Sequence, residues 1–180
     1  MSRYLLNLVL MGLPGMALAQ DTTHAKALQL SVDQLRTAVG RWAVVTEFLN
    51  DDGSVAKSVS GTYDFSWVVP DRVVAGKSEI PELKQAAGIL FYINEAKRQI
   101  EMVSVGADGH RWTMTGPLGR EERLSQEYKT AEGGTGRLRF TRFNVSPDRF
   151  ESRMEHTADG GATWKPGNHQ VFRRVARSAP

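Results

Sequence analysis

Apolar and polar side chains alternate along most of the chain beyond residue 40, which is the periodicity of β-strands with one buried face. Turns rich in glycine, proline and aspartate divide this pattern into about ten strands at the spacing of an all-β sandwich or barrel. The predicted strands are Arg41–Asn50, Val55–Val69, Arg72–Ile80, Gly88–Glu95, Gln99–Val105, His110–Thr115, Glu121–Thr130, Gly136–Val145, Phe150–Thr157 and Trp164–Val175. Because the connections are short and a wide sheet has exposed edges unless it closes, we expect an all-β fold: one antiparallel up-and-down barrel.

A short helix is predicted before the first strand. Ser31–Gln34 has the form of a capping box, in which the Ser hydroxyl and the Gln side chain satisfy backbone N–H groups at a helix start. Val32, Leu35 and Val39 then share one helical face, and Gly40 supplies the positive φ that ends the helix. The sequence therefore predicts a short N-terminal helix directly before the first strand.

Residues 1–19 have the pattern of a secretory signal peptide. Arg3 gives a basic start, Leu5–Leu13 is mostly apolar, and Ala17–Ala19 is a small-x-small cleavage site. We expect cleavage before Gln20, which leaves residues 20–180 as one barrel domain located in the periplasm or secreted. The alternative is that this segment forms a buried N-terminal strand or helix.

Composition narrows the function classes. The chain has no cysteine, which excludes disulfides, thiol nucleophiles and cysteine-based zinc sites. The net charge is +3 with acids and bases interspersed, and the arginines near the C-terminus are interpreted as a barrel-closing residue and a solvated tail. We expect no nucleic-acid partner and no membrane span, whereas the sequence leaves the oligomeric state open.

The helix followed by Gly40-Arg41-Trp42 resembles the opening of a lipocalin. In that superfamily the Trp caps the closed end of the barrel and an Arg from the last strand lies over its ring, so the resemblance implies that Arg174 covers Trp42; a cation on an indole face contributes ~0.5–2 kcal/mol. The chain also resembles a family of small exported bacterial proteins of unknown function, in its Leu-x4-Gly-x-Trp start at Leu35 and in Asp-Gly-Gly-x-Thr-Trp before the final strand. These resemblances imply a lipocalin-like, calycin-type barrel and carry no specific activity.

The segment from Asp159 to Trp164 matches the Asp-box hairpin turn. The Asp carboxylate accepts hydrogen bonds from turn amides, glycine takes positive φ, and the Trp packs under the loop. The pattern occurs once, so we interpret it as a structural turn rather than a propeller blade. Gly40, Trp42 and Arg174 complete the predicted structural set.

Aromatic and methionine side chains on the inward face predict a ligand pocket. The predicted ligand-binding residues are Phe48, Trp67, Phe91, Met102, Trp112, Phe140, Arg142, Met154 and His156, with Phe65 and Met114 also expected to point inward. His156 shares a face with Met154, and a hydrogen-bonded or rim histidine is favoured over a haem ligand because no haem motif accompanies it.

The strand that contains Arg142 can adopt two registers, which place this side chain either inside or outside the barrel. It shares a strand face with Leu138 and Phe140, and if that face points inward Arg142 is a buried cation that requires an anion, such as a fatty-acid carboxylate. If Phe143 points inward instead, Arg142 is solvated. The first register is favoured because it buries more apolar area.

No catalytic, metal or cofactor motif is present: the four histidines lack ligand spacing and there is no G-x-S-x-G elbow. The leading hypothesis is an exported barrel that binds a small, mainly apolar or fatty-acid-like ligand without a cofactor. The alternatives are a cavity enzyme of the cyclase or hydrolase type, and a solid-core barrel that serves as a protein-interaction or envelope-stress module.

Overall fold

The computed structural model describes residues 15–176, with side chains from residue 22 onward. One helix, α1 (Gly15–Ala38), precedes the strands, and a 3-10 turn at Pro81–Leu83 lies between the third and fourth. The strands are β1 (Gly40–Leu49), β2 (Val55–Val69), β3 (Val73–Ile80), β4 (Gln85–Asn94), β5 (Gln99–Gly106), β6 (Arg111–Pro117), β7 (Glu122–Ser125), β8 (Tyr128–Lys129), β9 (Thr135–Phe143), β10 (Arg149–Thr157) and β11 (Lys165–Arg174).

The strands form a closed antiparallel barrel. Sequential strands pair from β1 to β7, β7 pairs with β9, and β9, β10 and β11 lead back to β1. The two-residue β8 lies outside this ring and pairs only with the start of β9. The predicted fold, an up-and-down barrel of about ten strands with an N-terminal helix, is confirmed.

The predicted strand Glu121–Thr130 is interrupted in the structure. Ser125 ends β7, and its hydroxyl donates to the Gln126 carbonyl while accepting the N–H of Leu138. These side-chain bonds replace the next rungs of the ladder, so β8 starts separately at Tyr128. The expectation of one continuous strand there is wrong.

The predicted helix start is also wrong. Ser31 lies inside α1, where its hydroxyl donates to the Ala27 carbonyl at 3.0 Å and accepts the Gly119 N–H at 2.8 Å. Residues 16–30 of the helix include good helix formers such as Ala27 and Leu28 and no glycine or proline, so nothing stops the helix at that point. Ser31 is fully buried and ties α1 to the loop after β6 instead of capping a helix.

The C-terminal end of α1 closes one end of the barrel, here called the helix end. Leu35 and Trp42 belong to the core cluster there, together with Phe150 and Phe172, whose rings stack at 4.1 Å between centroids. The Trp42 indole donates to the Ala38 carbonyl at 2.8 Å, which satisfies one of the free carbonyl groups at the helix terminus. The opposite end, bordered by the β1–β2, β5–β6 and β10–β11 turns, is called the open end.

The predicted signal peptide lies mostly outside the described residues. The predicted cleavage point falls within α1. Removal of the signal peptide stays a prediction. Within residues 15–176, no helix is long and apolar enough to cross a membrane.

Candidate binding cavity

The barrel encloses a cavity of about 450 Å³. Gln34, Leu35 and Ala38 of α1 form its floor at the helix end. Towards the open end the lining side chains are partly exposed, and Trp112 reaches 36% exposure. The volume lies within the range of small-molecule pockets, which run from about 300 to 1,000 Å³.

Most of the predicted inward residues line this cavity. The lining residues among them are Phe48, Phe65, Phe91, Met102, Trp112, Met114, Phe140, Arg142 and Met154. Trp67 does not line it and instead packs against the core cluster at the helix end. His156 does not line it either; it pairs with Leu138 near the open end, where its side chain is half-buried.

Aromatic, methionine and aliphatic side chains make up most of the wall, and one group of its polar side chains is bonded together around Gln170. Gln170 donates to the Thr46 hydroxyl at 2.9 Å and to the Tyr63 hydroxyl at 3.4 Å, and it accepts from Ser152 at 3.2 Å. No aspartate, glutamate or histidine is among the described residues that line the cavity. The described part of the wall thus offers mainly apolar surface, with polar side chains that are hydroxyls, amides and two guanidinium groups.

The inward register of β9 is present, because Leu138, Phe140 and Arg142 all line the cavity. Arg142 is 6% exposed, and the protein itself supplies its anion: Nε and Nη2 donate to the two carboxylate oxygens of Glu121 at 2.8 and 2.9 Å. Its Nη1 donates to the Gln34 carbonyl at 3.2 Å and to the Thr37 hydroxyl at 3.1 Å. Arg142 therefore joins β9 to α1 through a fork-shaped ion pair that needs no ligand.

Arg123 is a second buried arginine on the cavity wall, and sequence reasoning missed it. It is 5% exposed, and its Nε has no hydrogen-bond partner. Its hydrogen bond to the protein is a long one, from Nη2 to the Gln34 side-chain oxygen at 3.4 Å. Burial is the main cause that lowers the pKa of Arg123 to about 10, with the nearby Arg142 acting in the same direction. At neutral pH the group remains a cation.

The predicted structural residues lie at the two ends of the barrel. At the helix end, Cζ of Arg174 lies 4.3 Å from the ring centre of Trp42, and its Nη1 donates to the Val39 carbonyl at 2.8 Å. Gly40 has φ of +130°, and a side chain there would collide with that guanidinium.

At the open end, Asp159 accepts hydrogen bonds from both Thr157 and Thr163, each at 2.6 Å from hydroxyl to carboxylate. These bonds, which favour the carboxylate, hold the pKa of Asp159 well below its ordinary value. Trp164 lies beside the turn with Cζ of Arg139 4.3 Å from its ring centre. Asp159 and Trp164 thus lie within a turn that is fixed by side-chain hydrogen bonds.

The closed antiparallel barrel, the helix at one end and the interior cavity give this chain a lipocalin-like barrel fold. No protein-family model matches the chain, and no curated protein matches its sequence.

Two solved structures are similar at 11% sequence identity. One is the S-type phycobiliprotein lyase CPES from Guillardia theta, with a TM-score of 0.49 and coverage of 86% of this chain and 98% of that chain. The other is a protein of unknown function from the DUF3598 family of Nostoc punctiforme, with a TM-score of 0.45 and coverage of 78% of this chain. This chain spans about half of the latter, 49%. The fold assignment rests on the strand pairing itself.

Proposed function

We propose that this chain is an exported bacterial lipocalin-like protein that binds one small, mainly apolar molecule inside its barrel. The observation that carries the proposal is the cavity of about 450 Å³ with a wall of aromatic and methionine side chains. A concave, mostly apolar site with a few polar groups is the usual form of a small-molecule pocket.

The same cavity weighs against the two alternative functions. A barrel that serves only as an interaction module would be filled by its own side chains, whereas this one retains room for a ligand. A cyclase or hydrolase usually needs a base that activates a nucleophile beside the substrate, and the described lining residues include hydroxyl groups but no carboxylate or imidazole to activate them.

Export is supported by the sequence pattern of residues 1–19. N-terminal sequencing of the protein purified from its own host should begin at Gln20. A soluble product that begins at Met1 would contradict export.

Ligand binding can be tested with a neutral apolar fluorophore, N-phenyl-1-naphthylamine. Leu138→Trp places extra bulk on the cavity wall, and Val45→Trp places the same side chain on the outer face of β1, where Val45 is 43% exposed. We expect wild type and Val45→Trp to bind the fluorophore and Leu138→Trp to lose most of the binding. Equal binding by both variants would show that the fluorophore binds outside the barrel. Native mass spectrometry of protein from its own host should reveal a retained ligand.

A further inference from the structure

Arg123 differs from the other charged groups that surround the cavity because its charge is left without a partner. None of the described carboxylates forms an ion pair with it, and its Nε lies buried without a hydrogen bond. A buried polar atom without a partner is uncommon in folded proteins and calls for an explanation.

The neighbours of Arg123 do not neutralise it. Glu121 is the nearby carboxylate, and both of its oxygens are bound by Arg142. Two guanidinium groups therefore lie near a single carboxylate that only Arg142 binds. The charge of Arg123 is left over as one positive charge at the helix end of the cavity. The side chain of Gln34 offers a single long hydrogen bond, and the Phe140 ring centre is 5.8 Å from Cζ.

The fold makes room for this arginine. Arg123 lies on β7 opposite Phe140 of β9, and Gly116 of β6 lies beside its aliphatic stem. A Cβ at Gly116 would be 3.2 Å from Cγ of Arg123 and closer still to the backbone of β7. The glycine thus allows β6 to pass close to the arginine that projects into the cavity.

Burial of an unpaired guanidinium opposes folding, because the charge loses its hydration and gains no anion in return. Arginine cannot escape this cost by losing its proton near neutral pH. An anion inside the cavity would supply the missing charge and an acceptor for the guanidinium N–H groups that Arg123 presents to the cavity wall.

We propose that Arg123 binds the carboxylate of an amphipathic ligand, which places the ligand's head group at the helix end. This inference rests on the proposed function and specifies the class of ligand. The apolar body then extends past Met114 and Phe140 towards Trp112 at the open end, along the lining residues of the same cavity. Arg142 remains the structural arginine, since four of its hydrogen bonds are made within the protein.

The test compares two probes, 11-(dansylamino)undecanoic acid and its methyl ester. They have the same apolar body, but only the acid has a charged carboxylate head group. Wild type should bind the acid at least about tenfold more tightly than the ester, which corresponds to ~1.4 kcal/mol. Arg123→Met should remove this preference while it leaves ester affinity within about twofold. Arg139→Met is the matched control, because Arg139 is paired with Glu155 and does not line the cavity; it should behave as wild type.

A second measurement uses unmodified lipids and wild-type protein alone. Dodecanoate should raise the melting temperature more than 1-dodecanol or dodecyl phosphate at equal concentration, because binding to the native state stabilises it. The ligand-free Arg123→Met protein should melt no lower than wild type, since the substitution removes an unpaired buried charge.

The outcomes separate the two proposals. Equal affinity of wild type for acid and ester, or unchanged acid preference in Arg123→Met, overturns the role of Arg123 and leaves the apolar pocket standing. A stronger effect of dodecyl phosphate than of dodecanoate overturns the assignment of a carboxylate. If wild type binds none of these probes, nor the neutral fluorophore, the proposed function fails as well.

Discussion

The two ends of the barrel are built differently. At the helix end, carbonyls in the last two turns of α1 accept hydrogen bonds from Trp42, Arg142 and Arg174, and the Trp42 side chain is fully buried. At the open end, Trp112 and Tyr128 contact each other edge to face with 5.9 Å between ring centres, and both are more than a third exposed. The helix end is thus closed by a hydrogen-bonded network of buried side chains, whereas Trp112 and Tyr128 at the open end contact each other through partly exposed rings.

Within the helix end, two single residues also differ in how well their hydrogen bonds are satisfied: Arg142 and Arg123. Both are buried and both line the cavity. Arg142 is satisfied by the fold, while Arg123 has donors left over. Arg142 thus links β9 to the helix that forms the floor of the cavity. Under the proposal above, Arg123 is the arginine that binds the ligand.

The largest effect that tests this contrast is expected from Trp42→Ala. Truncation of a fully buried Trp costs ~3–5 kcal/mol, and here it also removes the surface on which Arg174 lies. Urea unfolding should therefore show a large fall in stability, a big fraction of what a domain of this size possesses. A midpoint close to that of wild type would show that the helix end is not the stabilising end.

Arg142→Met should have the next largest effect on stability. It leaves the Glu121 carboxylate and two acceptors on α1 without their donor. Because Glu121 is 33% exposed, water can compensate in part, and we expect a loss of about 1–3 kcal/mol.

The exposed pair Arg36–Asp71, with side chains about half exposed, is the matched control, and Arg36→Met should shift the urea midpoint much less than Arg142→Met does. If the two variants unfold at the same urea concentration, the Arg142 network does not hold the floor of the cavity.

The sequence predicted the barrel well because long strands impose a period that can be counted. Val55–Val69 is predicted with its observed bounds, and the inward set of β9 follows from the greater apolar area of Leu138 and Phe140. Arg123 could not be found in this way. Its strand has four residues, and alternation with Leu124 as the apolar member would turn Arg123 outward, whereas the barrel buries Arg123 and Ser125.

The start of α1 shows a second limit of sequence reasoning. Ser31 and Gln34 have the spacing of a capping box, yet both side chains are used by residues more than 80 positions away, Gly119 and Arg123. Local spacing describes only the bonds that a segment can make with itself. In this protein the same side chains instead connect the helix to the cavity floor.

At the open end, Trp112→Ala should change ligand affinity more than stability. Trp112 is 36% exposed whereas Trp42 is fully buried, so truncation of Trp112 removes less buried area, and we expect a smaller loss of stability than in Trp42→Ala. Binding of N-phenyl-1-naphthylamine should weaken, because the side chain lines the cavity where it meets solvent. A melting temperature that falls as far as that of Trp42→Ala, or unchanged affinity, would contradict the contrast between the two ends.

The smallest effect is expected from Asp159, whose turn borders the open end. Hydrogen bonds from Thr157 and Thr163 lower the pKa of this carboxyl below its ordinary value of 3.8. A carboxyl with a lowered folded-state pKa stabilises the native state above the ordinary value, and that stabilisation is lost as the pH falls through 3.8 towards the folded-state pKa. Asp159→Asn should therefore be slightly less stable than wild type at pH 7, with a difference that shrinks progressively below pH 4. Because both proteins are compared by urea unfolding at each pH, contributions of the other carboxyls cancel. A difference that stays constant down to pH 2 would mean that the turn does not depend on the charge of Asp159.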